Sequence, residues 1–495
     1  MVFPVVGGTQ DTAYDIDNGL KFNGANQSMS IAQDAGSGSN TTGTLSFWVK
    51  RSKISTEYIA YARSDNSNVF NVYFSNTATS RLEIRSTQGG SAEMSYKTNM
   101  KFRDVSAWYH IVIAIDTTDG TAADRCKLFV NGSRITSFET QTNFDQNDTI
   151  EWFQSDATFY YGGEFEDGSQ ANAYAGYLAE AYLIDGQQLD ASNFGEYNDN
   201  GVWIPKKYLG TFGNNGHKLE FKQSGTSADS SGIGADTSGN DNHFSVSNHG
   251  SNSTSLDTPT NNFCTLNSLI GTQVYTAPSY GAGGLTFTSS SNTSFGSSGI
   301  GTMAPSSGKW YWEARINTSI VNGVGMGARV MEGYYPEFNN DSFFAGSTAN
   351  SGGIGYSVNF NSGHPQTNSA EYNTGVEINS GSALSTNDII GVAMDLDNGA
   401  IYYAINGTWQ ASSDPESGSS KTNAQHTFTV DGSYAPAFYG YGTGSGGSEF
   451  DVNFGGAVSF NVSSATSDTA GYGKFEYAVP DGYYALNTKN LGKYG

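Results

Sequence analysis

The chain has 495 residues, more than one hydrophobic core usually serves, and 37% apolar with 13% aromatic residues suffices for two. Charged residues are only 14%, yet 47 Asp and Glu stand against 24 Lys and Arg, a formal net charge of −23. That field repels phosphate backbones and anionic bilayers, so nucleic acid and membrane surfaces are not expected among the partners.

The first 19 residues, "MVFPVVGGTQDTAYDIDNG", lack a basic leading stretch and hold only a short apolar run, so they do not read as a secretory signal. They are read as an anchoring segment, with Val2, Phe3, Pro4, Val5 and Val6 adding a strand to the sheet edge of a partner. From residue 20 strands follow one another. "TLSFWVKRS" alternates Leu45, Phe47 and Val49 against Ser46, Trp48 and Lys50, and "AWYHIVIAID" puts Tyr109, Ile111, Ile113 and Ile115 on one face. "CKLFVNGSRI" turns at Asn131-Gly132, the pair that supplies the positive φ angles of a two-residue hairpin. Cys126 alternates with Leu128 and Val130 and is expected to be a buried free thiol, as Cys264 lies far away in the other half. "EFEDG", from Glu164 to Gly168, reads as a loop. "GYLAEAYLIDG" places Tyr177, Ala179, Ala181 and Leu183 opposite Leu178, Glu180, Tyr182 and Ile184.

Residues 206–270 mix a few short strands with Ser/Gly/Asp-rich stretches, and their aromatics require burial. This is a strand-containing connector. A second run of strands starts near residue 271: "GKWYWEARI", "GGIGYSVNF", "DIIGVAMDLDNGAIYYAING" and "SEFDVNFGG", again with Asn-Gly at the turns. Two segments echo one another, "PTNNFCTLNSL" from Pro259 and "PDGYYALNTKNL" from Pro480, which suggests a docking strap at the end of each half. Short strands with turn signals every 8 to 12 residues give an all-β chain: two antiparallel β-sandwich (jelly-roll) domains, 20–205 and 271–495, the second ending in a strap. No apolar stretch approaches the ~20 residues that cross a bilayer.

On the residues "LKFNGANQSMSI", "AWYHIVIAID…CKLFVNGSRI" and "GYLAEAYLIDG", the first half resembles a laminin G-like (concanavalin A-like) domain. On "SGKWYWEARI", "GVGMGAR" and "NDIIGVAMDLDNGAIYYAINGTW", the second is similar to a SPRY domain. The pair resembles virion proteins of tailed bacteriophages. That resemblance implies a virion-surface component made in the host cytoplasm, with other virion proteins and host-surface glycans or proteins as partners, and it leaves room for a homo-oligomer.

Chemistry is sparse. Concanavalin A-like glucanases carry Glu-x-Asp-x-Glu on one strand. The nearest match, Glu449, Asp451 and Asn453, ends in an amide that cannot act as a general acid, and is expected on a solvated outer face. The six His are scattered, and His110 is expected to be packed on its strand rather than to ligate a metal. No cofactor is expected. The oxygen-rich turns Asp236 to Asp241 and Asp116 to Asp124 leave a weak calcium option. Exposed aromatics that stack on sugars are sought in loops of the second half: Tyr334, Tyr335, Trp409, Tyr439 and Tyr441. The function expected is therefore non-enzymatic: a structural and adhesive fibre, appendage or capsid decoration. A purely architectural decoration and a glycan depolymerase are the alternatives.

Overall fold

The computed structural model describes all residues except 1–13, 34–37, 77, 155, 167, 272–277, 290–296, 318–323, 331–354, 362–363, 369–375, 378–384 and 441–446. The anchoring residues Val2, Phe3, Pro4, Val5 and Val6 lie outside this set. The chain is nearly all-β, 44% strand and 7% helix. It divides into two compact units, with the boundary between Asn261 and Asn262.

The first unit is two eight-stranded antiparallel sheets. The inner sheet runs Ser133–Arg134, Cys126–Val130, Trp108–Asp116, Thr42–Arg51, Ala175–Asp185, Gly19–Asn23 and Thr254–Ser255, with His217–Leu219 added beside Ala175–Asp185. The opposing sheet runs Phe138–Thr142, Ser91–Lys101, Arg81–Gln88, Val69–Phe74, Glu57–Arg63, Thr158–Tyr161, Ser28–Ala32 and Ser245–Ser247. Their facing sides make one core that includes Leu45, Phe47, Val49, Ile111, Ile113 and Ile115, which follow the alternation read from the sequence, together with Phe70, Val72, Phe159 and Trp152. Both cysteines are buried and outside any disulfide, and burial pushes the Cys126 thiol up to about 12. Residues 206–261, read as connector, contribute His217–Leu219, Ser245–Ser247 and Thr254–Ser255 to the two sheets of this unit.

One alternation fails. In Ala175–Asp185 the register shifts between Ala179 and Tyr182, where Glu180 takes the left-handed conformation (φ 47°). This bulge resets the pleat, so Leu178, Ala181 and Leu183 face the core while Tyr182 and Ile184 face the other way. Glu180 is left buried with Tyr14 donating to its Oε1 at 2.9 Å, and burial raises its carboxyl to about 7.

The second unit pairs a seven-stranded sheet with a nine-stranded one among the described residues. Lys309–Ile316, Ile389–Asp395 and Ala400–Ile405 form the centre of the larger sheet and are buried on both faces. Tyr311, Ala393 and Tyr402 pack against Phe475, Tyr483 and Ala485 of the C-terminal segment. The two echoing straps meet here: Phe263 bridges Asn487, and Cys264 donates its N–H to Leu486 at 2.9 Å. The first strap therefore closes the second unit rather than ending the first. A short α-helix, Thr488–Tyr494, capped by the Asn487 side chain, begins inside the stretch from Pro480 to Leu491 that reads as strap in the sequence.

The Asn-Gly turns work alike in both units. Asn131 and Asn406 sit at φ 45° and 48° with Gly132 and Gly407 at 79° and 77°, the two-residue turn with both central φ angles positive. Each asparagine also uses its carboxamide. Asn131 Oδ1 accepts the His110 N–H at 2.8 Å, and Asn406 Oδ1 accepts that of Ile389 at 2.9 Å. In each case the asparagine N–H donates back to the carbonyl of the same residue. Asn398-Gly399 differs: it lies in a four-residue connection organised by Asp395, whose carboxylate accepts from Asp397, Asn398 and the Asn398 side chain. At Gly132 a Cβ would stand 2.4 Å from the Trp203 ring, beside a positive φ. Gly132→Ala should therefore cost about 2 kcal/mol or more, measured by urea unfolding; a loss under about 0.5 kcal/mol, the size of an ordinary surface change, would show that the ring moves aside freely.

Candidate functional site

The first unit has two outer sheet faces, and one is roofed. Val112, Phe129, Tyr182 and Ile184 on the back of the inner sheet are covered by Ala191, Phe194 and Tyr208. Trp48 and Ala179 are covered by Ile16, with Tyr14, Trp108 and Trp203 around them. His110 belongs to this layer. It is buried and stacked on Trp48 at 4.7 Å and on Trp203 at 6.0 Å. Its Nδ1 accepts from Trp203 Nε1 at 3.1 Å, which leaves Nε2 to donate to Ser46 Oγ at 2.9 Å. It is a packed residue, as the sequence suggested.

The opposing sheet carries no such roof among the described residues, and its outer face is aromatic and polar. The register shift between Tyr58 and Ala60 turns both Tyr58 and Tyr61 outward while Ile59, Ala60 and Ala62 stay in the core. Across the strands Tyr58 is opposite Tyr73, and Tyr61 lies between Tyr160 and Asn71. Two stacked pairs result, Tyr58–Tyr73 at 4.6 Å and Tyr160–Phe165 at 4.2 Å, with Tyr61 between them at 6.1 and 6.3 Å. Because paired rings cover each other's faces, they present edges and hydroxyls outward. Tyr73 donates to Glu83 Oε2 at 2.7 Å, and Glu164 beside Tyr58 accepts from Asn172 at 2.7 Å. Burial, reinforced by these carboxylates, holds the Tyr58 and Tyr73 phenols well above the ordinary tyrosine value, and Tyr61 is pushed up to about 12. They stay protonated; the Tyr73 hydrogen goes to Glu83, and the phenol oxygens keep lone pairs for a ligand's hydroxyls.

A hairpin of Glu164–Glu166 and Ser169–Ala171 walls this face. The sequence reading of that stretch as a loop is corrected: cross-strand pairs Glu164–Ala171 and Phe165–Gln170 make it a two-stranded ribbon. It is held by Arg63, which donates to the Phe165 carbonyl at 2.6 Å, and by the Phe165 ring on Tyr160. The arrangement suits a hydroxyl-rich ligand: phenol donors, carboxylate acceptors, an amide and cations on one rigid sheet.

The residues singled out from sequence fare differently. Tyr334, Tyr335 and Tyr441 lie outside the described residues, and Tyr439 is described only as part of the strand Tyr434–Gly440. Trp409 is half-buried and packs against the cluster around Tyr311 and Tyr402, so it does not present a free ring. The strand Glu449–Asn453 is not a solvated face. Asp451 is paired with Arg315 at 2.8 Å, and buried Asn453 donates to Glu313 Oε2 at 3.0 Å. Glu313 also accepts the N–H groups of Glu476 and Tyr477, at 3.0 and 2.9 Å. The C-terminal segment lies over this strand, and a carboxylate whose acceptor sites hold that segment is structural. In the oxygen-rich turns Asp236 accepts the N–H groups of Lys218, Ser238 and Asn242, and Asp116 those of Thr118 and its hydroxyl. No group of three His, Cys, Asp or Glu positioned for a metal occurs among the described residues. A second concavity of about 350 Å³ is lined by Asp190, Ser192, Glu196, Tyr197, Trp203 and Lys206. Its polar groups serve one another: Asp190 accepts from Ser192, and Lys206 donates to the Ser192 carbonyl.

Residues 23–189 match Laminin_G_3, described as the concanavalin A-like lectin/glucanases superfamily. The first unit thus contains a concanavalin A-like jelly roll. No curated protein matches the chain. Similar solved structures include the native heptameric SAP-like pentraxin from Limulus polyphemus, 18% identical over 36% of this chain and 80% of that one (TM-score 0.28). The SPRY domain of human HERC1 is 13% identical over 36% and 91% (TM-score 0.25). The IT-sialidase CBM40 of Ruminococcus gnavus, bound to α2,3-sialyllactose, is 14% identical over 36% and 96% (TM-score 0.27). These are likenesses of parts of the chain and say nothing of its ligand.

Proposed function

We propose that this chain is a non-enzymatic glycan-binding protein and that the outer face around Tyr58, Tyr61, Tyr73 and Tyr160 is its carbohydrate surface. The observation that carries the reading is the pair of stacked aromatic couples on an unroofed sheet, with protonated phenols interleaved with Glu83 and Glu164. Such a face offers both donors and acceptors to sugar hydroxyls, on strands whose other sides are locked in the core. The biological setting proposed is the surface of a tailed-bacteriophage virion, on the strength of the two-domain resemblance, with other virion proteins as neighbours and a host glycan as ligand.

A glycan array probed with the purified full chain tests this, alongside a triple Tyr58→Phe, Tyr73→Phe, Tyr160→Phe variant. The variant keeps the ring stacks and removes three hydroxyls, so binding should fall about tenfold or more, as for loss of a few net hydrogen bonds. Unchanged binding would refute the assigned face. In the same preparations no reducing ends should be released from any glycan bound; release would replace the reading with a depolymerase.

A further inference from the structure

We infer that the glycan taken by this face is acidic, its anionic group held by Arg85 while a neighbouring hydroxyl donates to Asn71. The inference rests on the carbohydrate-surface reading above and adds the ligand's charge class. Asn71 and Arg85 are directly opposite one another on adjacent antiparallel strands, in the same cross-strand row as Tyr61 and Tyr160. Directly opposed residues carry their Cβ atoms about 5 Å apart, so the two side chains leave the sheet side by side.

Each is incomplete as it stands. Asn71 is 6% exposed, and its Oδ1 is buried without a partner. A buried acceptor left unmade is costly; the carboxamide nitrogen is not among the fully buried atoms, so a half-turn of the amide brings the oxygen to the side a ligand hydroxyl can reach. The Arg85 side chain is exposed, and among the described residues it makes no hydrogen bond or ion pair. Glu93 lies diagonally across the next strand and is not paired with it; the other acidic groups nearby are engaged. Glu83 is held by the Tyr73 hydroxyl and by Lys97 at 3.3 Å, and Glu139 by Lys97 at 3.5 Å and by Arg81. An uncompensated guanidinium is notable in a chain of net charge −23, which otherwise repels anions. Its planar fork suits a carboxylate or sulfate oxygen pair, whereas a neutral sugar gives it nothing that the nearby phenols do not. Tyr160 would then support the ring that carries the charge, with buried Tyr61 behind it.

Three probes separate the outcomes: oligogalacturonate, dextran sulfate and neutral dextran, titrated calorimetrically into the full chain and into Arg85→Gln and Arg85→Lys. Binding to either acidic probe is expected, and which one identifies the anionic group. It should weaken about tenfold or more in Arg85→Gln, the scale of a hydrogen bond to a charged group. Arg85→Lys should recover only part, since an ammonium lacks the fork. Because the side chain is exposed, both variants should melt with the parent, and the net negative charge limits nonspecific uptake of polyanions. Acidic-probe binding that survives Arg85→Gln overturns the inference. Binding to dextran alone, reduced in the phenylalanine variant, also overturns it while leaving the carbohydrate surface standing. No binding to any glycan, on the array or here, removes both.

Discussion

Acidification should unfold the first unit well before it weakens the second. Three of its histidines are buried and neutral. His110 is lowered to about 3 and His249 to about 3, chiefly by burial; burial lowers His217 to about 4 against the pull of Asp236. For a group whose folded value lies below the unfolded one, near 6.5 for His, the unfolded chain binds more protons. Stability is therefore whole above pH 6.5 and drains away as the pH falls toward 4 and 3, by about 1.4 kcal/mol per pH unit for each group. Glu57 and Glu180 work the other way. Burial raises both to about 7, so their contribution is whole below 4.5 and is lost as the pH rises through 7. Between pH 6.5 and 4.5 two carboxylates offset two of three histidines, and the net decline is about 1.4 kcal/mol per pH unit. Below 4.5 the carboxylates no longer help and the slope should roughly triple. In the second unit Glu313 is raised to about 6 by burial, a stabilising change on mild acidification. Scanning calorimetry from pH 7 to 4 should show the first unit's transition moving down and steepening below 4.5. Parallel movement of all transitions would contradict it, and His249→Phe, which replaces a ring whose two nitrogens have no hydrogen-bond partner, should blunt the effect.

The second large effect concerns a buried ion pair. Arg51 and Glu57 are both fully buried, and Arg51 donates to Glu57 Oε2 through Nε and Nη2 at 3.2 and 3.0 Å. Two further hydrogens go to the Phe102 and Ser55 carbonyls, and its guanidinium lies over Phe74 at 4.5 Å. Arg51→Met keeps the stem and leaves Glu57 without its cation and two carbonyls without donors. Stranding one member of a buried pair costs about 3–5 kcal/mol, so Arg51→Met should lose that much in guanidinium unfolding at pH 8, above the raised value of Glu57. Removing both charges, Arg51→Met with Glu57→Leu, should recover much of it, because the double change strands no carboxylate. A single variant within 1 kcal/mol of the parent, the size of an exposed pair, would mean that water reaches the site.

Much of the fold was legible because burial imposes a period of two. Ile111, Ile113 and Ile115 could only face one way, and Asn131-Gly132 could only turn. What the sequence hid follows from irregularities that a strict period cannot register. The bulge at Glu180 reverses the faces of the residues after it, and the shift before Ala60 brings Tyr58 and Tyr61 out together although they are three apart. The outward tyrosines therefore carry no regular period, whereas the loop aromatics of the second half stand out in the sequence. A signal did exist: Asn71 and Tyr73 lie at the opposite parity to Phe70, Val72 and Phe74, placing polar and aromatic side chains outward on one strand. The strand Glu449–Asn453 misled for another reason. Alternation tells which residues share a face, but only the later chain, folding back over it, decides whether that face is wet.

Hydrogen–deuterium exchange on the full chain, with and without the glycan that gives the strongest array signal, tests the central claim most directly. The account predicts that protection concentrates in Glu57–Arg63, Val69–Phe74, Arg81–Gln88, Thr158–Tyr161 and the hairpin Glu164–Ala171. Protection confined to residues 190–206 or to the second unit, with those five segments unchanged, would contradict it.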